Sequence, residues 1–160
     1  MRWVVVQVKS QREDVAIKNL RETGFECYCP KLVKRTKRGE VQVPMFPGYI
    51  FAHVDLANMP LWRTIRSHQG VLKLLMRTCS DPGVLPLGWV EGLIERGPLV
   101  VDFEQIVNFT KGQKIRFTAG PLSGIEGKIH WTDKQRVALL IDLLGKDTIV
   151  YSTIQLIAPI

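Results

Sequence analysis

The chain of 160 residues has little cysteine, little histidine and no long hydrophobic run. Its cysteines, Cys27, Cys29 and Cys79, are an odd number. A zinc site needs a fourth ligand and usually CxxC spacing, and Cys27-Tyr28-Cys29 supplies neither. They read as reduced thiols. His53, His68 and His130 stand alone, without metal-ligand spacing. No apolar stretch approaches the ~18 residues of a membrane span, and the longest, VALLIDLL, contains an aspartate. The opening MRWVVVQVKSQRED has no small-residue cleavage site and reads as a first strand rather than a signal peptide. The expectation is a cytoplasmic protein with no membrane association. GxSxG, GxxxxGK[ST] and the dinucleotide-binding glycine fingerprint are all missing. Gly120 to Gly127 is glycine-rich but lies between strands, so it offers no helix N-terminus to a phosphate. Glu13-Asp14 sits at a helix start, where the macrodipole accounts for it. These absences argue against an enzyme and against any cofactor or metal.

What is present is a globular composition, 46% hydrophobic and 23% charged, with a net charge of +7. Residues 1–108 hold 15 Lys/Arg and 11 Asp/Glu, a balance of +4; residues 109–160 hold 7 and 4, a balance of +3. The sharpest cluster has five basic residues between Lys31 and Arg38. An acidic partner, nucleic acid first, suits this balance, as does a basic surface that only aids solubility.

Hydrophobic patterning predicts the order strand, helix, strand, strand, helix, strand in the first part, an α+β antiparallel sheet flanked by helices. Trp3 to Val8 is a buried strand. Ser10 and Glu13 have capping-box spacing ahead of a helix with Val15, Ala16, Ile17 and Leu20 on its apolar face, ended by Gly24. Phe25 to Val33 is a second strand, and Val41 and Val43 return from the basic tip as a hairpin. Asn58 caps a short helix carrying Leu61, Trp62 and Ile65. A strand follows Gly70, and Leu87 to Glu95 is a helix stopped by Gly97-Pro98. From Phe109 onward, five short strands alternate with turns, the mark of a small β-barrel. The expected division is residues 1–98, a linker 99–108, and residues 109–160.

One stretch concentrates aromatics in a chain with only 8% of them. In VPMFPGYIFAHVDL, Val43 to Leu56, Pro44 and Pro47 fix φ and Pro47-Gly48 makes a turn. That turn sets the directions of Phe46 and Tyr49, and Phe51 shares a sheet face with Tyr49. A pre-set aromatic cluster suits a docking pocket, because it buries area at low entropy cost. The same residues equally suit the core of the sheet.

FPGYIFAHVDL (Phe46 to Leu56) followed by WRTIRSHQGV (Trp62 to Val71) resembles the N-terminal domain of NusG-type transcription elongation factors. KGQKIRFTAGPLSGIEGKI (Lys111 to Ile129) is similar to the KOW motif that follows it in that family, and the resemblance spans essentially the whole chain. It implies an NGN-like domain plus an SH3-like KOW barrel of five strands. It also implies a monomeric transcription elongation and antitermination factor that binds RNA polymerase, bridges its clamp and suppresses pausing or termination. By matching position, Phe46, Tyr49 and Phe51, with Trp3 and Leu93, would form the clamp-binding cavity. Lys9 and Arg12 would face non-template DNA, and Arg63 and Arg66 the polymerase lobe. The KOW domain would contact ribosomal protein S10, Rho or RNA through Leu122, Leu144 and Lys146, with Ile125 and Leu143 in the barrel core. Lys114, Arg116, Lys128, Lys134 and Arg136 would be a basic face toward nascent RNA.

The general factor usually carries a longer N-terminal extension and a longer hairpin loop than this sequence. Its leucine-rich ALLIDLLGK resembles a specialised paralogue of the RfaH or LoaP kind. In RfaH this stretch can become helical; Gly120, Gly124, Gly127 and the β-branched TIVYST oppose a long helix here. The alternative is a KOW-based RNA-binding protein, of leader-RNA or ribosomal type, that acts without polymerase docking.

Overall fold

The structure, a computed structural model, describes residues 1–36, 38–101, 110–118, 122–133, 136–142, 147–152 and 157–160. In chain order the elements are β1 (Arg2–Val8), α1 (Glu13–Glu22), β2 (Glu26–Tyr28), β3 (Lys31–Thr36), β4 (Gly39–Pro44), β5 (Tyr49–Val54) and α2 (Met59–Arg63). A 3-10 turn (Thr64–Ser67), β6 (Val71–Leu74), α3 (Trp89–Arg96) and β7 (Leu99–Val101) follow. The remainder is β8 (Lys114–Phe117), β9 (Glu126–Asp133), β10 (Arg136–Asp142), β11 (Asp147–Ser152) and β12 (Ile157–Pro159). The chain divides into two compact units, residues 1–30 with 47–95, and residues 31–46 with 96–160.

The first unit is an antiparallel sheet in the order β2-β5-β1-β6. The valine run of β1 is buried on both faces, so it reads as continuous rather than alternating. Val4, Val6 and Val8 join Ile50, Ala52 and Val54 on one face, packed with Ala16, Ile17 and Leu20 of α1 and with Trp62 and Ile65. Each buried valine or leucine there is worth about 1.5–3 kcal/mol of transfer free energy. Cys27 and Cys29, two apart, join the same cluster, as strand alternation requires. On the other face Trp3 and Phe51 meet α3: Phe51 packs edge-on against Trp89 at 5.5 Å.

Several expectations hold. Asn58 Oδ1 accepts from the Leu61 N–H at 3.2 Å and caps α2. Gly24 follows α1 at φ +92°, and α3 stops before Gly97 and Pro98. Others change. Ser10 does not cap α1: the helix begins at Glu13 behind Arg12, with no side-chain cap, after Gln11 at φ +60°. Ile17, not Val15, completes the buried face of α1. The expected strand from Phe25 to Val33 breaks at Cys29-Pro30, where proline removes a ladder donor. Its halves, β2 and β3, enter different sheets.

In the second unit β3 pairs antiparallel with β4 and parallel with β7, with Leu32 opposite Leu99. The first three residues of the segment expected as a linker are thus a strand, and 102–109 lie outside the described residues. The five expected C-terminal strands form an antiparallel sheet in the order β11-β10-β9-β8-β12, with Ile115, Phe117, Ile129 and Val150 buried. Among the described residues no helix is long and apolar enough to cross a membrane.

Candidate macromolecule-binding site

The aromatic turn lies beside the end of β1. The register sets Trp3 opposite His53, Val5 opposite Phe51 and Gln7 opposite Tyr49. Gly48, at φ +80°, closes the Pro47-Gly48 turn. A side chain there would meet the Val8 carbonyl at 3.6 Å, and the left-handed backbone favours glycine. The Gly48 carbonyl accepts from the Val8 N–H at 2.9 Å. The Gly48 N–H donates to Glu13 Oε1 at 2.8 Å. On its other side the β1–α1 turn is held by Lys9, whose N–H donates to the Gly70 carbonyl at 2.9 Å. Gly70, at φ +90°, lies so close to α1 that a Cβ would sit 3.2 Å from the Ala16 nitrogen.

Two of the expected groups share one end of the sheet. Lys9 and Arg12 are exposed on the β1–α1 turn, and Tyr49 is partly exposed at the start of β5. Exposed Arg63 and Arg66 lie on the segment that leads to Gly70, with the Arg63 guanidinium 5.8 Å from the Trp62 ring centroid.

Trp3 is not part of this end. It pairs with His53 at the far end of β1, stacked at 4.6 Å with the rings 15° apart. Its indole N–H donates to Glu91 Oε1 at 2.9 Å. The Glu91 carboxyl is held below its ordinary 4.5, first by its own backbone N–H, with the Trp3 indole and His53 adding to it against desolvation. Leu93 is buried beneath α3, and its carbonyl accepts from the Tyr28 hydroxyl at 3.2 Å. Burial pushes that hydroxyl, and the Cys27 thiol (to about 11), upward.

Exposure separates the expected cavity residues. Phe46 and Phe51 are 0% exposed, Leu93 1% and Trp3 4%. Of the five, only Tyr49 reaches solvent in this structure. Sequence spacing left core and docking pocket open; burial puts the other four in the core.

On the C-terminal sheet Lys114, Arg116 and Lys128 are exposed, and Arg116 is paired with Glu126. Leu122, expected as a partner contact, is instead 4% exposed. The Leu122–Gly124 turn carries it inward and leaves Ile125, expected in the core, partly exposed. Leu143, Leu144, Lys146 and Lys134 lie outside the described residues, and Arg136 is placed only by its backbone in β10. Glu13, Trp89 and Glu91 were not singled out as site residues by sequence reasoning. Glu13 resembled half of a capping box, and the roles of Trp89 and Glu91 depend on where α3 lies on the sheet.

The fold is that of an α+β protein with a basic, partly aromatic end on its first sheet and a second β-sheet of five strands. The family model described as transcription termination factor NusG matches residues 1–93, more than half of the chain, and the chain belongs to the NusG family. It is 24% identical to the transcription termination/antitermination protein NusG of Streptomyces virginiae over 89% of this chain. It spans only 55% of that relative's length, about half. It is 23% identical to the NusG protein of Pasteurella multocida, over 92% of this chain and 88% of that one. A solved structure concerned with domain interaction in Thermotoga maritima NusG shares the fold at TM-score 0.54. That match is 17% identical and covers 98% of this chain and 95% of that chain.

Proposed function

We propose that this chain is a transcription elongation and antitermination factor that docks on RNA polymerase through residues 1–98. The observation that carries this reading is the family-model match over residues 1–93, which runs from β1 into α3. The exposed set at the sheet end supports it. Tyr49 is an aromatic anchor for the clamp, and Lys9 and Arg12 carry positive charge suited to non-template DNA. Arg63 and Arg66 are the lobe-facing residues. Phe46, Phe51, Trp3 and Leu93, the other residues matched to the clamp-binding cavity, are buried and serve docking through the packing of the fold.

A factor that spans clamp and lobe favours the closed, elongating polymerase over the paused one. That is a shift of population and requires no chemistry on the factor. Residues 109–160 act as the KOW domain and recruit a second partner, ribosomal protein S10, Rho or RNA, with residues 99–108 joining the two.

Transcription in vitro across a defined pause and a terminator tests the reading. The chain should shorten the pause and raise read-through. Unchanged pausing and termination at saturating protein would reject it.

A further inference from the structure

We propose that Glu13 is a positioning residue for docking: its buried carboxylate joins the Tyr49 anchor to the Lys9 and Arg12 cations as one rigid unit, so that the contact made by either strengthens the other. The proposal rests on the docking reading above and adds the device that couples two of its contacts.

The first observation is a junction of three residues. Gly48 is held twice: its carbonyl accepts from the Val8 N–H at 2.9 Å, and its N–H donates to Glu13 Oε1 at 2.8 Å. Val8 and Glu13 are both buried. Each member of the junction has a docking residue as its chain neighbour. Lys9 follows Val8, Arg12 precedes Glu13, and Tyr49 follows Gly48. Lys9 and Arg12 are exposed and Tyr49 is partly exposed. Backbone movement at any of the three therefore strains a bond to the same glycine.

The second observation is where Glu13 directs its charge. A carboxylate in the first turn of a helix ordinarily serves its own N-terminus. α1 has no side-chain cap, yet Glu13 reaches a backbone donor 35 residues along the chain. Burying a carboxylate is costly unless a hydrogen bond compensates it. The bond it makes is to the turn that presents Tyr49.

The third is strain between the two cations. Gln11, which is not a glycine, stands at φ +60° between Lys9 and Arg12. Such a backbone persists only where its surroundings over-determine it. Here the Arg12 N–H donates to the Lys9 carbonyl at 3.0 Å, and the Lys9 N–H donates to the Gly70 carbonyl at 2.9 Å. The cationic turn is thus ordered before any partner arrives. When two pre-ordered contacts share a stiff joint, making the first raises the effective concentration of the second. A joint free to hinge loses much of that gain.

The test is a double-mutant cycle on the affinity of the full chain for assembled transcription elongation complexes. One arm is Tyr49→Ala and the other is Lys9→Ser with Arg12→Ser. With Glu13 in place, the combined variant should lose less affinity than the product of the two separate losses, by about fivefold or more. In a Glu13→Ala background the two losses should simply multiply. Glu13→Asp, one methylene short of the bond, should behave the same way and carries the test if the alanine variant does not fold. Glu13→Gln, which keeps an acceptor, should restore the coupling. Every variant is measured at a temperature where circular dichroism shows it folded. A purely structural role for Glu13 would lower all affinities in the substituted background by one factor and leave the coupling intact. That result would overturn the proposal. So would losses that already multiply with Glu13 in place, or coupling that glutamine does not restore. No binding by wild type rejects the docking reading and the proposal with it, whereas binding without coupling rejects the proposal alone.

Discussion

The buried carboxylate of Glu13 holds the backbone of Gly48, accepting its N–H at 2.8 Å. One bond thus ties the first residue of α1 to the aromatic turn. Glu13→Ala should cost about 1–3 kcal/mol, because it leaves a buried N–H without its partner. Glu13→Gln keeps an acceptor and should cost less. Urea unfolding measures both, and hydrogen exchange at Gly48 should quicken in the alanine variant. Unchanged protection there would break the link.

Two glycines should respond in opposite directions. At Gly70 the backbone is left-handed and a Cβ would meet Ala16 at 3.2–3.4 Å. Gly70→Ala should destabilise by about 1–3 kcal/mol. Gly92 lies inside α3 with nothing within 4 Å of a new Cβ. Gly92→Ala should stabilise by about 0.5–1 kcal/mol. Thermal unfolding of the two variants gives the signs.

Cys27 and Cys29 are buried and Cys79 is exposed. At mild alkaline pH a thiol reagent should modify one cysteine quickly and the other two only as the protein opens. The Cys27 thiol, pushed up to about 11, stays neutral in the fold after the unfolded thiol, near 9.0, has ionised. Its contribution is therefore complete below pH 9 and fades as pH rises toward 11. Cys27→Ala should show a shallower alkaline loss than wild type in urea titrations over that range. An unchanged slope would contradict the assignment.

The Trp3–Glu91 bond should appear on the acid side. A carboxyl held below its ordinary 4.5 adds stability above that pH, and the contribution is lost as pH falls through the lowered value. Trp3→Phe removes the indole donor. The variant should be less stable than wild type at neutral pH, and part of the difference should close under acid. A gap independent of pH would assign the loss to packing alone.

Much of the fold could be read from local pattern. The valine run of β1, the Asn58 cap and the five C-terminal strands each rest on signals carried by a few neighbouring residues. What failed depended on distant pairing. Ser10 and Glu13 have capping-box spacing, but Gln11 turns left-handed and Glu13 bonds to Gly48, 35 residues away. The aromatic turn carried two meanings, because core and pocket draw on the same residue types. Only burial separates Tyr49 from Phe46 and Phe51.

Burial also decides how docking is probed. Phe46→Ala would open a core cavity and cost about 3–5 kcal/mol, so it reads folding rather than contact. Tyr49→Ala trims a partly exposed ring at the start of β5. The most direct measurement is the affinity of the full chain for assembled transcription elongation complexes, comparing wild type with Tyr49→Ala after confirming equal thermal stability. The account predicts micromolar or tighter binding by wild type and a loss of about tenfold or more in the variant. Equal affinity of the two proteins, or no binding by either, would contradict it.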